Sequence, residues 1–266
     1  MIKIFLTEKK PIEFLYEDHF NQMIRIFLDT NALSEILIET SKLGKDTKLL
    51  RKYSHRWMHC FSVYTLYEIY NGDEARWQEL LKFVSEIHCV MFLPRNKIVE
   101  YEYNRYVGKN TSEKEMYVYL NFDIKDVDSV QKFEKMVSDF CKKEIDNIIH
   151  ESAVVEYMKQ TKIKRTEHEI VKSVLLSLGY ELKKKGDYIH FPSIRVFALS
   201  VMGRASNTNR KEFWFNDVID TWISYCMPYV HDVITEKEQK GILEQAKKKI
   251  PEIKHLNISI LSDFSK

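Results

Sequence analysis

The stretch Ile24-Arg-Ile-Phe-Leu-Asp29-Thr-Asn31, continued by ALSEILIETSKLG to Gly44, decides the fold. Five residues, four of them apolar, run into an acid, which suits a strand buried in a parallel sheet. Behind Thr30-Asn31 the apolar residues recur at helical spacing, and Gly44 is a stop signal. Strand, sharp turn and helix in that order open a βαβ unit.

The same alternation recurs outward from this segment. Residues 58–64 read as a second strand or as the run into the next helix, which ends at Asn71-Gly72. A helix over Glu74–Glu86 leads to a strand over 88–93, closed by Pro94. Near the C-terminus, NDVIDTWISYCM (216–227) is helical. Residues 229–235 read as a strand, 236–249 as a helix and 257–261 as a terminal strand. Strands alternating with helices at both ends predict a mostly parallel sheet covered by helices on both faces, an α/β sandwich. Between them, from 98 to 200, the helical patterns SVQKFEKMVSDFCKKEIDNIIHESAVVEYMKQ, TEHEIVKSVLLSLGYELKKK and SIRVFALSVMGRA predict a helical insertion.

Composition bounds the alternatives. With 44% hydrophobic residues among 266, the chain has material for a core, and its 15 Tyr, 15 Phe and 4 Trp exclude a disordered chain. Only 7 Gly and 5 Pro argue against a turn-rich β-sandwich. A net charge of +2 says nothing for or against nucleic acid, because a local basic groove can hide in a balanced total. Cys60, Cys89, Cys141 and Cys226 have no metal-ligand or disulfide spacing, as expected of reduced thiols in a cytoplasmic protein. The N-terminal apolar run is too short for a signal peptide, and no stretch reaches the ~18 apolar residues of a membrane span.

Ligand sites of open parallel sheets lie at the carboxyl ends of the strands, so acids there carry information. Asp29 ends the first strand and Glu68 follows the second. Asp217 opens its helix, with Asp220 one turn later, and Asp232 and Glu236 flank the last strand but one. Each alone is accounted for by a helix cap or a solvated face. Together they are not, since carboxylates converging on one edge repel each other unless cations lie between them.

Four segments, FLDTNALSEI (27–36), SVYTLYEIYNG (62–72), FNDVIDTW (215–222) and PYVHDVITEKE (228–238), resemble in order the motifs of PIN domains, found in toxin nucleases and RNA-processing enzymes. The resemblance covers roughly 22–97 and 205–264. It implies a PIN-like nuclease domain over 22–266, with the 98–200 insertion inside it and an N-terminal extension over 1–21. It makes Asp29, Glu68 and Asp217 metal ligands, with Asp220 close to the third place. Asp232 or Glu236 fills the fourth; the family has Asp after the strand-end Thr, where this chain has Glu236. Asn31 and Thr235 would position phosphate or support the ligands; Arg204 and Arg210 are candidates to position substrate because, among the basic clusters, they precede the third acidic segment.

Oxygen donors alone suit Mg²⁺ or Mn²⁺. Two such ions ~4 Å apart would activate water and stabilise the leaving oxygen of a phosphodiester. The resemblance favours RNA over single-stranded DNA, and it admits a toxin or defence role, an antitoxin-like protein partner and a homodimer. A catalytically inactive binding module of the same fold and a metal-dependent phosphatase are the competing expectations.

Other signals weigh less. His55 and His59 have zinc-helix spacing, but Arg56 stands where a catalytic Glu would. His88, His190 and His231 are isolated. Tyr101, Tyr103, Tyr106, Phe213, Trp214 and Phe215 lie near lysine and arginine clusters and would stack on bases if exposed.

Overall fold

The structure is a computed structural model that describes residues 23–43, 57–86, 89–120, 124–161, 165–206 and 215–263. The 1–21 extension, His55, His88, Arg210, Phe213 and Trp214 lie outside them.

β1 (Ile24–Leu28) leads into α1 (Thr30–Leu43), and β2 (Trp57–Ser62) into α2 (Val63–Gly72) and α3 (Glu74–Glu86). β3 (Cys89–Phe92) is followed by α4 (Arg95–Tyr106) and β4 (Tyr117–Leu120). Then come α5 (Val127–Thr161), α6 (Glu167–Ser177), α7 (Pro192–Ala205) and α8 (Phe215–Ile223). β5 (Asp232–Ile234), α9 (Lys237–Lys247) and β6 (Asn257–Ser259) complete the set.

The six strands form one sheet in the order β4-β3-β2-β1-β5-β6, parallel except where β4 joins β3 antiparallel. The chain steps from β1 outward to β3, then returns to the other side of β1 as β5. Winding direction therefore reverses between β1 and β5, the position at which open α/β sheets bind ligands. The strand interiors are largely apolar where they cross the middle of the sheet, with Phe27, Phe61, Val90 and Phe92 inaccessible to water. An α/β architecture with a mostly parallel sheet follows, compatible with a three-layer sandwich.

The 98–200 segment is not purely helical, and it is not an appendage. Tyr117–Leu120 adds an edge strand to the sheet. α7 packs against α6, α8 and α9, and α5 against α2 and α8. The helix expected through GYELKKK stops earlier because Gly179 takes φ +79°, a left-handed conformation. Tyr180 N–H then closes onto Leu175 O at 2.9 Å, sealing the helix end. The tyrosines of α4 are packed rather than offered to bases: Tyr103 stacks on Tyr180 at 4.2 Å and Tyr101 meets Tyr229 edge-on at 5.9 Å. His59 is buried on β2 against Phe83, a core histidine. Cys60, Cys89 and Cys226 are buried free thiols.

Glu102 ties this middle segment to the rest. Its Oε1 accepts from Ser193 N–H at the start of α7 (2.9 Å) and from the Tyr229 hydroxyl (2.8 Å), while Oε2 is buried with no hydrogen-bond partner. Burial pushes its pKa up to about 7, against the two hydrogen bonds that favour the charged form. The folded state therefore holds a proton that the unfolded chain releases near pH 4.5. Stability contributed by this group is intact below pH 4.5 and falls as pH rises to 7, by about 3 kcal/mol in all. Urea unfolding of Glu102→Gln between pH 4.5 and 8 is expected to lose most of that slope. An unchanged slope would assign it to other groups.

Candidate active site

Asp29 is the first residue beyond β1. Its backbone N–H donates to Ile234 O (3.2 Å), which continues the β1–β5 pairing to the end of both strands. Its carboxylate faces the reversal point. Oδ1 accepts from Ala32 N–H (2.8 Å), so Asp29 also caps α1, and Oδ2 accepts from Glu236 N–H (3.0 Å) across the reversal point. The Thr235 hydroxyl lies beside the same carboxylate and favours its charged form, although Thr235 Oγ1 is buried and completes no hydrogen bond there. Burial outweighs these contacts and raises the Asp29 pKa above its ordinary value.

Glu68 reaches the same place from α2, which begins where Ser62 caps it by accepting from Thr65 N–H at 3.0 Å. The Thr30 hydroxyl donates to Glu68 Oε2. Burial pushes the Glu68 pKa up to about 7, helped by the nearby charges of Asp220 and Asp29 and opposed by the Thr30 bond. Glu236 in turn raises Asp29. These couplings join Asp29, Glu68, Asp220 and Glu236 into one electrostatic neighbourhood.

Asp217 and Asp220 enter from α8, one turn apart. Both meet Arg204, near the end of α7, whose side chain has no exposed surface. Its Nη1 lies 3.1 Å from Asp217 Oδ1 and 3.2 Å from Asp220 Oδ2. Its Nη2 lies 3.3 Å from Glu236 Oε1 and 3.0 Å from the Gln239 side-chain oxygen. Gln239 is held in turn by the hydroxyl of Ser224 (3.0 Å), which pairs with Ser200 (2.8 Å). Three carboxylates thus meet one guanidinium at the reversal point, with Asp29 and Glu68 beside them.

Five of the expected ligands therefore converge: Asp29, Glu68, Asp217, Asp220 and Glu236. Asp232 does not. It is the first residue of β5, level with Ile26 rather than with Asp29, and so stands at the opposite end of that strand from Thr235 and Glu236. Four residue steps of extended chain, at ~3.3 Å each, separate it from Glu236. Of the two, Glu236 is the one that lies beside Asp29. Asn31 is exposed at the first turn of α1. Arg204 is not at the surface to meet substrate; it is sealed among the acids, because three carboxylates this close demand a counter-charge.

Sequence reasoning missed Thr30, Gln239 and Arg95. Thr30 was visible as the neighbour of Asp29. Gln239 is a buried polar residue on α9, three places after Glu236. Arg95 follows Pro94 at the carboxyl end of β3, on the same edge of the sheet, and its guanidinium lies 4.0 Å over the Trp222 ring of α8. No signal in the sequence singled it out.

Among the described residues, no group of three or more His, Cys, Asp and Glu side chains is arranged to hold a metal ion. Asp217, Asp220 and Glu236 are instead engaged by Arg204. A search of protein-family models, curated proteins and solved structures found no match to the chain.

Proposed function

We propose that this chain is a metal-dependent nuclease with a PIN-like fold, acting on RNA in preference to single-stranded DNA. One observation carries the reading: Asp29, Glu68, Asp217, Asp220 and Glu236, scattered over more than 200 positions of sequence, meet at the winding reversal of a parallel sheet. Arg204 answers three of these carboxylates; Asp29 and Glu68, whose burial disfavours their charged forms, have no such partner among the described residues, and a bound cation would supply one.

The donor set fits Mg²⁺ or Mn²⁺. Every candidate is a hard oxygen, and the buried Thr235 hydroxyl, without a hydrogen-bond partner, adds another at the same spot. Asp29 and Glu68, with whatever oxygens of Asp217, Asp220 and Glu236 the guanidinium leaves open, would hold the cation. Bound there, it would supply a polarised water and a Lewis acid for the leaving oxygen. The chain's own residues fix the frame. The Ala32 and Glu236 N–H groups lock the Asp29 carboxylate at both oxygens, and Thr30 orients Glu68. Arg204 aligns Asp217, Asp220 and Glu236 against that pair.

No helix among the described residues is long and apolar enough to cross a membrane. A cytoplasmic role with a nucleic-acid substrate, and with an antitoxin-like partner or a second copy of the chain, is part of this proposal.

A second reading draws support from Arg204 itself. A guanidinium already neutralising three of the acids is what a catalytically silent binding module would retain. The two readings part on metal: a site that takes Mn²⁺ raises the melting temperature as the free ion increases, and a silent module does not respond.

Labelled RNA and single-stranded DNA, incubated with Mn²⁺ or EDTA, test the activity directly. Cleavage is expected with Mn²⁺ alone and is expected to fall at least ~100-fold in Asp29→Asn, by analogy with the loss that follows removal of a supporting partner of a metal site. Asn keeps the acceptor for the Ala32 N–H cap but loses the one for Glu236 N–H, so the melting temperature of this variant is measured beside its activity. Asp232→Asn is expected to cleave like the wild type, because Asp232 sits at the far end of β5. Full activity in Asp29→Asn would refute the site. Hydrolysis of nitrophenyl phosphate but of neither polymer would point to a phosphatase.

A further inference from the structure

We infer that Arg204 is a permanent cation built into the acidic site, standing where a second metal ion would otherwise sit, so that the site takes one divalent ion rather than two. The inference rests on the metal-dependent reading above and deepens it.

The guanidinium is committed to the site through both terminal nitrogens, whereas its Nε is buried without a hydrogen-bond partner among the described residues. It has no exposed surface, and its two terminal nitrogens touch Asp217, Asp220, Glu236 and Gln239 at 3.0 to 3.3 Å. Gln239 cannot swing away, because its amide is fastened to Ser224 and through it to Ser200. The helix carrying Arg204 is itself pressed close to α9. A Cβ at Gly203 would meet Ile242 Cγ1 at 3.0 Å, so glycine there permits the approach that brings Arg204 onto Glu236 and Gln239. An arginine side chain keeps its proton throughout the accessible pH range. The positive charge is therefore fixed in amount and in place.

That placement divides the five acids into two sets. Asp217, Asp220 and Glu236 touch the guanidinium. Asp29 and Glu68 do not; their hydrogen bonds come from Ala32, Glu236 N–H and Thr30. A dication shared among the first three would press against a like charge a few ångströms away, in surroundings of low dielectric. Asp29 and Glu68 meet no such repulsion. Beside them lies an independent pointer to a ligand: Thr235 Oγ1, in a residue only 4% exposed, faces the Asp29 carboxylate without completing a hydrogen bond. A buried hydroxyl in that condition marks a place where a ligand atom belongs. One ion at Asp29 and Glu68 and one guanidinium among the remaining acids would share the work that two ions perform elsewhere.

Equilibrium Mn²⁺ binding by the full chain, followed by calorimetry and by the electron paramagnetic resonance of the bound ion, tests this without reference to activity. The wild type is expected to saturate at one Mn²⁺ with an uncoupled spectrum, and Asp29→Asn at none. Arg204→Gln, which removes the charge but can still pair with Gln239, is expected to bind two ions with the signature of spin coupling. If that variant folds only when Mn²⁺ is present, the dependence is itself the expected exchange of one cation for another. Failure to fold at saturating Mn²⁺ would overturn the inference. Arg204→Lys keeps the charge and is expected to bind one. Two ions on the wild type, or one on folded Arg204→Gln, would overturn the inference while leaving a metal-dependent site standing. No ion on the wild type would remove both.

Discussion

A guanidinium sealed from water and gripped by Asp217, Asp220 and Glu236 is the interaction on which the site's form depends. Taking those charges out of water is costly, and a buried ion pair often does no better for stability than apolar side chains of equal size. Removing one partner is another matter: it leaves the remaining charges desolvated and unpaired, at about 3–5 kcal/mol. Such an arrangement serves placement more than stability. It fixes α7, α8 and the turn after β5 in register, and it sets three carboxylates at known positions beside Asp29 and Glu68.

The sheet supplies the other half of the constraint. Parallel strands deliver their C-terminal residues to one edge, and the reversal between β1 and β5 keeps that edge from being roofed by a single crossover. Asp29 and Glu236 are neighbours there because two adjacent strands end together, one backbone N–H reaching the other's carboxylate. No contact between distant loops is needed to explain why residues 29 and 236 meet. Glu68 arrives by the same logic, one strand over, through the turn that Ser62 caps.

This is why part of the site was legible in the sequence and part was not. An apolar run ending in an acid and followed by a helical pattern is local information, and it placed β1, Asp29 and α1 correctly. The choice between Asp232 and Glu236 was not local. Both flank the strand, and only the direction of β5 in a parallel sheet decides which end faces the site. β4 escaped notice because Tyr-Val-Tyr-Leu is four residues long and its partner, β3, precedes it by more than twenty. Arg204 was noticed for its charge and given the wrong surroundings. A basic residue late in a helix reads as solvated, and nothing in one dimension reveals that three acids will enclose it.

The middle segment, expected as a helical insertion, packs into the body of the fold beside the site. α7 carries Arg204, α5 packs against α2 and α8, and Glu102 on α4 fastens the start of α7 through Ser193. Any change that loosens this region therefore acts on the acids through Arg204 rather than by opening a lid. The Arg95 guanidinium lying on Trp222 has the same consequence at the other side of α8, since it holds the helix that presents Asp217 and Asp220. The positive charge among the acids thus comes from α7, while Arg95 acts on the helix that presents two of them.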